Sequence, residues 1–184
     1  MKYQILILPG WQSSNNIHWQ TIWQKENPDY IRVEQTNWDK PDKNEWISCL
    51  QKYISNCNKP VILVAHSLAC SLVCHWALQY KTENIAGAFI VAPTDVDSAE
   101  HSPAELRCFS PMPVDKLPFK SMVIASENDH YVSIQRAEYF SSCWGSQFIN
   151  IGKYGHINAD SKLGSWNDGK ILFNQLIKHI NTQP

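Results

Sequence analysis

The residues around Ser67 predict a serine that can act as a nucleophile. Residues 61–65 form a short apolar run rich in β-branched side chains, which predicts a strand buried on both faces. Residues 68–78 are apolar on nearly every side and contain no Gly or Pro, which predicts an interior helix. Only His66 and Ser67 lie between them, so the chain should turn sharply there and hold the Ser67 hydroxyl clear of the sheet.

The residues flanking Ser67 depart from the commonest pattern for such a turn. That pattern is Gly-x-Ser-x-Gly, because the residues two before and two after the serine crowd each other. Here both positions are alanine, Ala65 and Ala69, which is the next smallest side chain and adds some strain. The alternative is a plain strand-to-helix junction in which Ser67 caps the helix.

An acid and a histidine follow later strands in a suitable order. A serine hydroxyl is a weak nucleophile near neutral pH, so an imidazole must take its proton and a carboxylate must orient the imidazole. Asp129 follows a predicted strand at 121–125, and His156 follows the next strand at 148–151. The chain order Ser, Asp, His is that of α/β-hydrolase triads.

Other residues compete for the two supporting roles. Asp95 follows the fourth predicted strand and is a rival for the acid, although we favour Asp129. Of the seven histidines, His156 suits the base best because it comes after the last strand and next to a glycine. His66 adjoins the serine, but strand alternation should turn its side chain away from that of Ser67.

Strands and helices alternate along the chain, which predicts a three-layer α/β fold. The pattern implies a doubly wound, six-stranded parallel sheet with helices on both faces. We expect the first strand to be central, beside the third, and the second to lie at an edge that Arg32 and Glu34 protect. The site should lie beyond the carboxyl ends of the strands. The predicted strands are 4–8, 30–34, 61–65, 85–92, 121–125 and 148–151, and the predicted helices are 17–25, 42–54, 68–78, 134–143 and 167–180.

Composition limits the classes of function. The 184 residues fit one domain, 1–184, and 43% apolar with 18% charged residues is ordinary for a globular protein. A net charge of −1 without a Lys/Arg cluster argues against nucleic acid or a membrane as partner, and no apolar run approaches a membrane span. Six scattered cysteines favour a reducing cytoplasm. Cys70, Cys74 and His75 lack a second ligand pair, so we expect no metal and no cofactor.

Short motifs spread over nearly the whole chain match one family. They are Leu8-Pro-Gly-Trp-Gln12, His18-Trp-Gln20, Val64-Ala-His-Ser-Leu68, His75-Trp-Ala77, Val91-Ala-Pro93, Ala125-Ser126, Asp129, Tyr131-Val-Ser133 and Gly155-His-Ile-Asn158. The chain resembles the small α/β-hydrolase family of serine hydrolases that includes retinoblastoma-binding protein nine and many bacterial proteins. The resemblance implies a triad of Ser67, Asp129 and His156, a minimal α/β-hydrolase fold without the two leading strands of larger members, and no large cap domain. Relatives mostly carry Gly where this chain has Ala69.

Backbone groups near the serine are candidates for stabilising an oxyanion. The N–H of Leu68 follows the nucleophile directly, and the N–H of Trp11 or Gln12 lies after the first strand. His18 opens the first helix and is a candidate for lining the substrate pocket.

Two long segments, 94–118 and 152–169, are the candidates for sheltering the serine. Phe109 and Met112 lie among four prolines in the first segment, which predicts a semi-rigid apolar wall and a short apolar acyl group on the substrate. Together these features predict a serine hydrolase that cleaves a small-molecule ester, thioester or amide through an acyl-enzyme on Ser67. The alternative is a hydrolase fold that binds an unidentified protein with little turnover, which Ala69 and the eight tryptophans leave open.

Overall fold

Six parallel strands form one sheet in the computed structural model, which describes residues 2–182. Residues 1, 183 and 184 lie outside the described part, and so do the outer bounds of the predicted domain. The strands are β1 (Gln4–Leu8), β2 (Ile31–Arg32), β3 (Val61–His66), β4 (Ile85–Val91), β5 (Lys120–Ala125) and β6 (Gln147–Asn150). They pair in the order β2-β1-β3-β4-β5-β6, and every pairing is parallel.

Helices cover both faces of this sheet because the strand side chains alternate between two apolar layers. The helices are α1 (Trp19–Glu26), α2 (Lys43–Ser55), α3 (Leu68–Gln79), α4 (Ile134–Trp144) and α5 (Asn167–Asn181), with 3-10 turns at Ala104–Phe109 and Ala159–Ser161. In β1, Leu6 and Leu8 belong to the buried cluster of α2, α3 and α4. Ile5 and Ile7 belong to the cluster of α1 and α5. The strand is therefore buried on both sides, as its apolar run predicts.

Polar caps fix where two of the helices begin. Asp42 accepts a hydrogen bond from the backbone N–H of Glu45 at 2.9 Å, so α2 starts where the sequence predicts. Ser133 accepts from the N–H of Arg136 at the start of α4. That helix ends at Gly145, whose φ of 67° lets its N–H reach the carbonyls of the last turn.

The predicted fold class is confirmed, with two differences in detail. The first strand lies beside the third and the second lies at the edge, but the middle of the sheet is β3 and β4 rather than β1. The predicted strand 30–34 is reduced to the two residues of β2, although the N–H of Val33 still donates to the carbonyl of Ile7 in β1 at 2.9 Å. Within residues 2–182, no helix has both the length and the apolar character needed to cross a bilayer.

Candidate active site

Ser67 occupies a strained turn between β3 and α3. Its φ is 60° and its ψ is −126°, an unfavourable region for a side chain that has a Cβ. The hydroxyl makes no capping hydrogen bond to the helix, so the alternative of a plain N-cap is wrong. Ala65 and Ala69 are both fully buried, and the turn accommodates both methyl groups.

Gly10 lets the β1 loop come unusually close to this turn. A Cβ built at Gly10 would lie 2.7 Å from the Cβ of Ser67 and 3.1 Å from the backbone nitrogen of Leu68. Any side chain there would push the loop away from the serine. The Pro-Gly-Trp-Gln motif therefore has a geometric reason for its glycine.

Asp129, His156 and Ser67 form one chain of hydrogen bonds. His156 Nε2 lies 2.9 Å from Ser67 Oγ, and its Nδ1 lies 2.9 Å from both carboxylate oxygens of Asp129. A carboxylate only accepts, so Nδ1 carries the proton and Nε2 is left to accept from the serine hydroxyl. Their exposures are 8%, 7% and 5% for Ser67, Asp129 and His156, so the chain is largely shielded from water.

The rival acid, Asp95, has a different partner. Its two carboxylate oxygens accept from Arg136 Nε at 2.8 Å and from Nη2 at 3.1 Å. The structure therefore brings Asp129, and not Asp95, to the ring of His156. Among the other histidines, His101 contacts the carbonyl of His130 at the rim, away from the serine hydroxyl.

Two further side chains support this hydrogen-bonded chain. Thr94 Oγ1 lies 3.0 Å from Ser67 Oγ, and it can donate to that oxygen because the serine proton goes to His156. The ring of Tyr131 lies 4.4 Å from that of His156, and the Tyr131 backbone N–H donates to Asp129 at 2.9 Å. The sequence pattern assigns no role to Thr94, which follows β4.

His66 turns toward the site, contrary to the expectation from strand alternation. The alternation rule holds only for extended backbone, and Ser67 has left it. His66 Nε2 lies 2.9 Å from the carbonyl of His156, to which it donates, so it holds the loop of that histidine. Complete burial, with His18 and His156 nearby, holds the pKa of His66 well below its ordinary value.

Helix α1 also holds the loop that carries His156. The indole N–H of Trp19 donates to the carbonyl of Ile157 at 2.8 Å, and that of Trp23 donates to the carbonyl of Ser165 at 2.9 Å. Ile157 itself has a φ of 50°, which bends the chain just after the histidine. The two indoles thus fix a loop whose backbone is strained.

Two backbone N–H groups beside Ser67 are free of protein partners. Within the described chain, neither the N–H of Leu68 nor that of Trp11 donates to a backbone or side-chain acceptor. The N–H of Gln12 is already bonded to the carbonyl of Trp38 at 3.0 Å. Of the two predicted alternatives after β1, Trp11 is therefore the one with a donor to offer.

A small pocket of about 220 Å³ opens at Ser67, and its wall is mostly polar. The wall does not contain Phe109 or Met112, so the prediction that they line it is wrong. Both are buried in the core because their loop packs onto α2 and α3. Leu106 is the residue of that loop that reaches the pocket. The lining residues are Trp11, Gln12, Ser13, Asn15, His18, His66, Ser67, Leu106, Tyr131, His156, Asn158, Ala159 and Asp160.

The family of the chain follows from its sequence over almost its full length. Residues 5–175 match the family model described as serine hydrolase. The chain belongs to this serine hydrolase family. The resemblance that the motifs suggested is thereby confirmed. No curated protein sequence matches the chain significantly.

Solved structures show the same fold. A YdeN-like hydrolase from Pectobacterium atrosepticum has a TM-score of 0.87 at 29% identity, covering 97% of this chain and 92% of that one. The ydeN gene product of B. subtilis has a TM-score of 0.78 at 18% identity, covering 96% and 99%. Est1E from Butyrivibrio proteoclasticus has a TM-score of 0.66 at 10% identity, covering 96% and 89%. The last two likenesses concern the fold alone.

Cys70 and His75 of helix α3 each contact a backbone carbonyl. Cys70 donates to the carbonyl of Val91, and His75 Nε2 lies 2.6 Å from the carbonyl of Phe109. Burial raises the pKa of the Cys70 thiol, which keeps it protonated. In the described part of the chain, no three His, Cys, Asp or Glu side chains meet as a set of metal ligands.

Proposed function

We propose that this member of the serine hydrolase family cleaves a small ester, thioester or amide through an acyl-enzyme on Ser67. The observation that carries the proposal is the continuous hydrogen-bonded chain from Ser67 through His156 to Asp129. Its distances of 2.9 Å are those of a nucleophile, its base and an orienting acid. The strained turn supports the same role, since it exposes the hydroxyl to the pocket.

In the first half of the reaction, Ser67 Oγ attacks the carbonyl carbon while its proton moves to His156 Nε2. Asp129 stabilises the imidazolium that forms and keeps Nδ1 as the donor. The tetrahedral intermediate then collapses as His156 returns the proton to the leaving oxygen, sulfur or nitrogen. The acyl group stays on Ser67.

In the second half, water takes the place of the leaving group. His156 Nε2 removes a proton from the water as it attacks the acyl carbon, and the proton then passes to Ser67 Oγ. The acid product leaves and the starting protonation states are restored. In both halves the negative oxygen can be held by the free N–H groups of Leu68 and Trp11, and losing one such donor costs about 10²–10³ in kcat.

The pocket favours small substrates with polar groups. Its volume of about 220 Å³ is below the range of about 300–1,000 Å³ that holds drug-sized ligands. The expected apolar wall is missing, because Phe109 and Met112 face the core. We still propose that the substrate has a short acyl group, but we withdraw the expectation that this group is apolar.

The alternative of a protein-binding module receives no support from the tryptophans that suggested it. Six of the eight are buried, and Trp11 and Trp38 are half-buried, so none is exposed in the described part of the chain. The tryptophans build the core and the loop contacts rather than an interface.

Covalent labelling tests the proposed nucleophile. A fluorophosphonate should label the protein, and Ser67→Ala should abolish both labelling and hydrolysis of 4-nitrophenyl acetate with little change in Tm. Asp129→Asn should lower kcat by about 10⁴. Its matched control, Asp95→Asn, should lower Tm with a far smaller effect on kcat. Labelling that survives in Ser67→Ala would overturn the proposal, and a larger kcat loss in Asp95→Asn would overturn the choice of acid.

A further inference from the structure

His18 caps helix α1 with one ring nitrogen, and its other ring nitrogen has no partner within the described chain. The backbone N–H of Gln20 donates to His18 Nδ1 at 3.1 Å, which caps helix α1. Nδ1 must therefore carry the lone pair, and the proton of the neutral ring sits on Nε2. Burial, with smaller effects of His156 and Arg32, lowers the pKa of His18 to about 3, so the ring stays neutral near pH 7.

The Nε2–H group of this ring is a buried donor without an acceptor. His18 is 4% exposed, and Nε2 is one of three buried side-chain nitrogen or oxygen atoms that find no partner in the described chain. Native proteins rarely leave such a donor unpaired, because its lost hydration is not repaid. The donor therefore calls for an acceptor from outside the protein.

The position of the ring indicates where that acceptor comes from. His18 lines the same small pocket as Ser67 and His156. Its ring lies 4.8 Å from that of His66, which in turn lies 4.9 Å from that of His156. Nε2 has almost no accessible surface, so an oxygen acceptor can reach it only where the side chains around it move aside.

We propose that His18 Nε2–H binds an oxygen acceptor of the substrate close to the scissile carbonyl, and so selects substrates that carry one. The acceptor is an ether, hydroxyl or carbonyl oxygen separate from the reacting carbonyl. This inference rests on the proposed hydrolase function of Ser67. It makes His18 a specificity residue as well as a helix cap.

Two substitutions separate the cap from the donor. His18→Asn keeps a favoured capping acceptor near the Nδ1 position and is too short to place a donor at Nε2. His18→Gln can carry an N–H near the Nε2 position but is a poor cap. A residue that only capped α1 would be replaced well by Asn and badly by Gln. If His18 selects the substrate as proposed, His18→Gln instead keeps the substrate preference better than His18→Asn does.

The experiment compares isosteric ester pairs on the full chain. 4-Nitrophenyl methoxyacetate is compared with the butyrate, and 4-nitrophenyl 3-methoxypropanoate with the pentanoate. Each kcat/KM is divided by the rate of hydroxide hydrolysis to remove intrinsic reactivity. The wild type should prefer the ether of at least one pair by about tenfold, the effect of one hydrogen bond. His18→Asn should lose this preference, His18→Gln should retain most of it, and Tm should fall more in His18→Gln.

The outcomes distinguish this inference from the function on which it rests. Turnover of both esters by the wild type without preference in either pair would overturn the role of His18 and leave the hydrolase intact. The same preference in wild type and His18→Asn would also overturn it. No turnover of any ester, together with no fluorophosphonate labelling of the wild type, would overturn the hydrolase function, and the inference with it.

Discussion

Two long connections leave the carboxyl edge of the sheet, and they differ in how they pack, in the freedom of their backbone and in what they contribute to the pocket. The β4–β5 connection, residues 92–119, is rich in proline and buries Phe109 and Met112. It also ties itself together, because Asp97 accepts from the Ser110 hydroxyl and from the N–H of Met112. The connection from β6 to α5, residues 151–166, has three glycines at positive φ. It supplies four residues of the pocket, among them His156.

The difference shows that length alone does not identify an active-site loop. The first connection has apolar side chains to bury, so most of it becomes part of the core, while its Thr94 contacts Ser67 and its Leu106 lines the pocket. The second buries Ile157 and Trp166 in the other core cluster, and its glycines allow the turns that bring a histidine back over the sheet. Backbone freedom, more than the presence of large side chains, marks the connection that carries the catalytic histidine.

The largest test of this contrast replaces one histidine in each connection. His156→Gln should lower kcat by about 10⁴ or more, because no other base reaches Ser67. His101→Gln in the first connection loses one contact, to the carbonyl of His130, and should change kcat/KM by less than about fivefold. Hydrolysis of 4-nitrophenyl acetate measures both. Similar losses of activity in the two variants would contradict the inference that the second connection, and not the first, supplies the catalytic histidine.

The next largest effect is on the free energy of unfolding, and we expect it for a substitution in the β4–β5 connection. Phe109→Ala should lower the free energy of unfolding by about 3–5 kcal/mol, because the ring is fully buried between α2 and α3. Tyr154→Ala in the second connection should cost about 0.5 kcal/mol or less, since that side chain is 42% exposed. Urea unfolding monitored by circular dichroism gives both values. An unchanged stability in Phe109→Ala would mean that the first connection is not part of the core.

The smallest effect concerns His18, which faces the second connection across the pocket. Its folded pKa of about 3 lies below the ordinary 6.5, so between these values the unfolded chain binds a proton that the folded chain does not. Stability is therefore fully present above pH 6.5 and declines as the pH falls toward 3. His66 adds a change of the same sign.

Replacing His18 should weaken this acid sensitivity. Between pH 7.5 and 4.5, the wild type should lose about 2 kcal/mol more of its unfolding free energy than His18→Asn does. Urea unfolding at the two pH values measures the difference. Equal losses in both proteins would show that His18 is not held neutral in the folded state.

Much of the fold and the identity of the central residues could be predicted from the sequence. Apolar runs and caps located the strands and helices, and the chain order placed Ser67, Asp129 and His156 beyond strand ends that meet at one edge. The catalytic roles of these three residues stay a proposal, but their closeness follows from the parallel sheet, because each lies beyond the carboxyl end of a strand. The sequence favoured Asp129 over Asp95, but it gave no sign of the bonds from Arg136 in α4 that engage Asp95.

The remaining features depend on side-chain directions that no spacing rule encodes. His66 faces the pocket because Ser67 breaks the strand alternation. Phe109 and Met112 were assigned to the wrong side of their loop, since composition does not tell which side of a loop meets the core. The contact of Thr94 with Ser67 joins distant segments, and the tautomer of His18 is fixed by the backbone N–H of Gln20.

The indole bonds from α1 to the His156 loop have a consequence for how the site comes into being. They join residues that are 138 and 142 positions apart in the chain, among the slowest kind of contact to form. A nascent chain that has emerged as far as α4 therefore already contains Ser67 and Asp129 but lacks the base that would activate the serine. We expect the nucleophile to become reactive only when the part of the chain after α4 docks on the first helix, which makes reactivity toward a fluorophosphonate a late marker of complete folding.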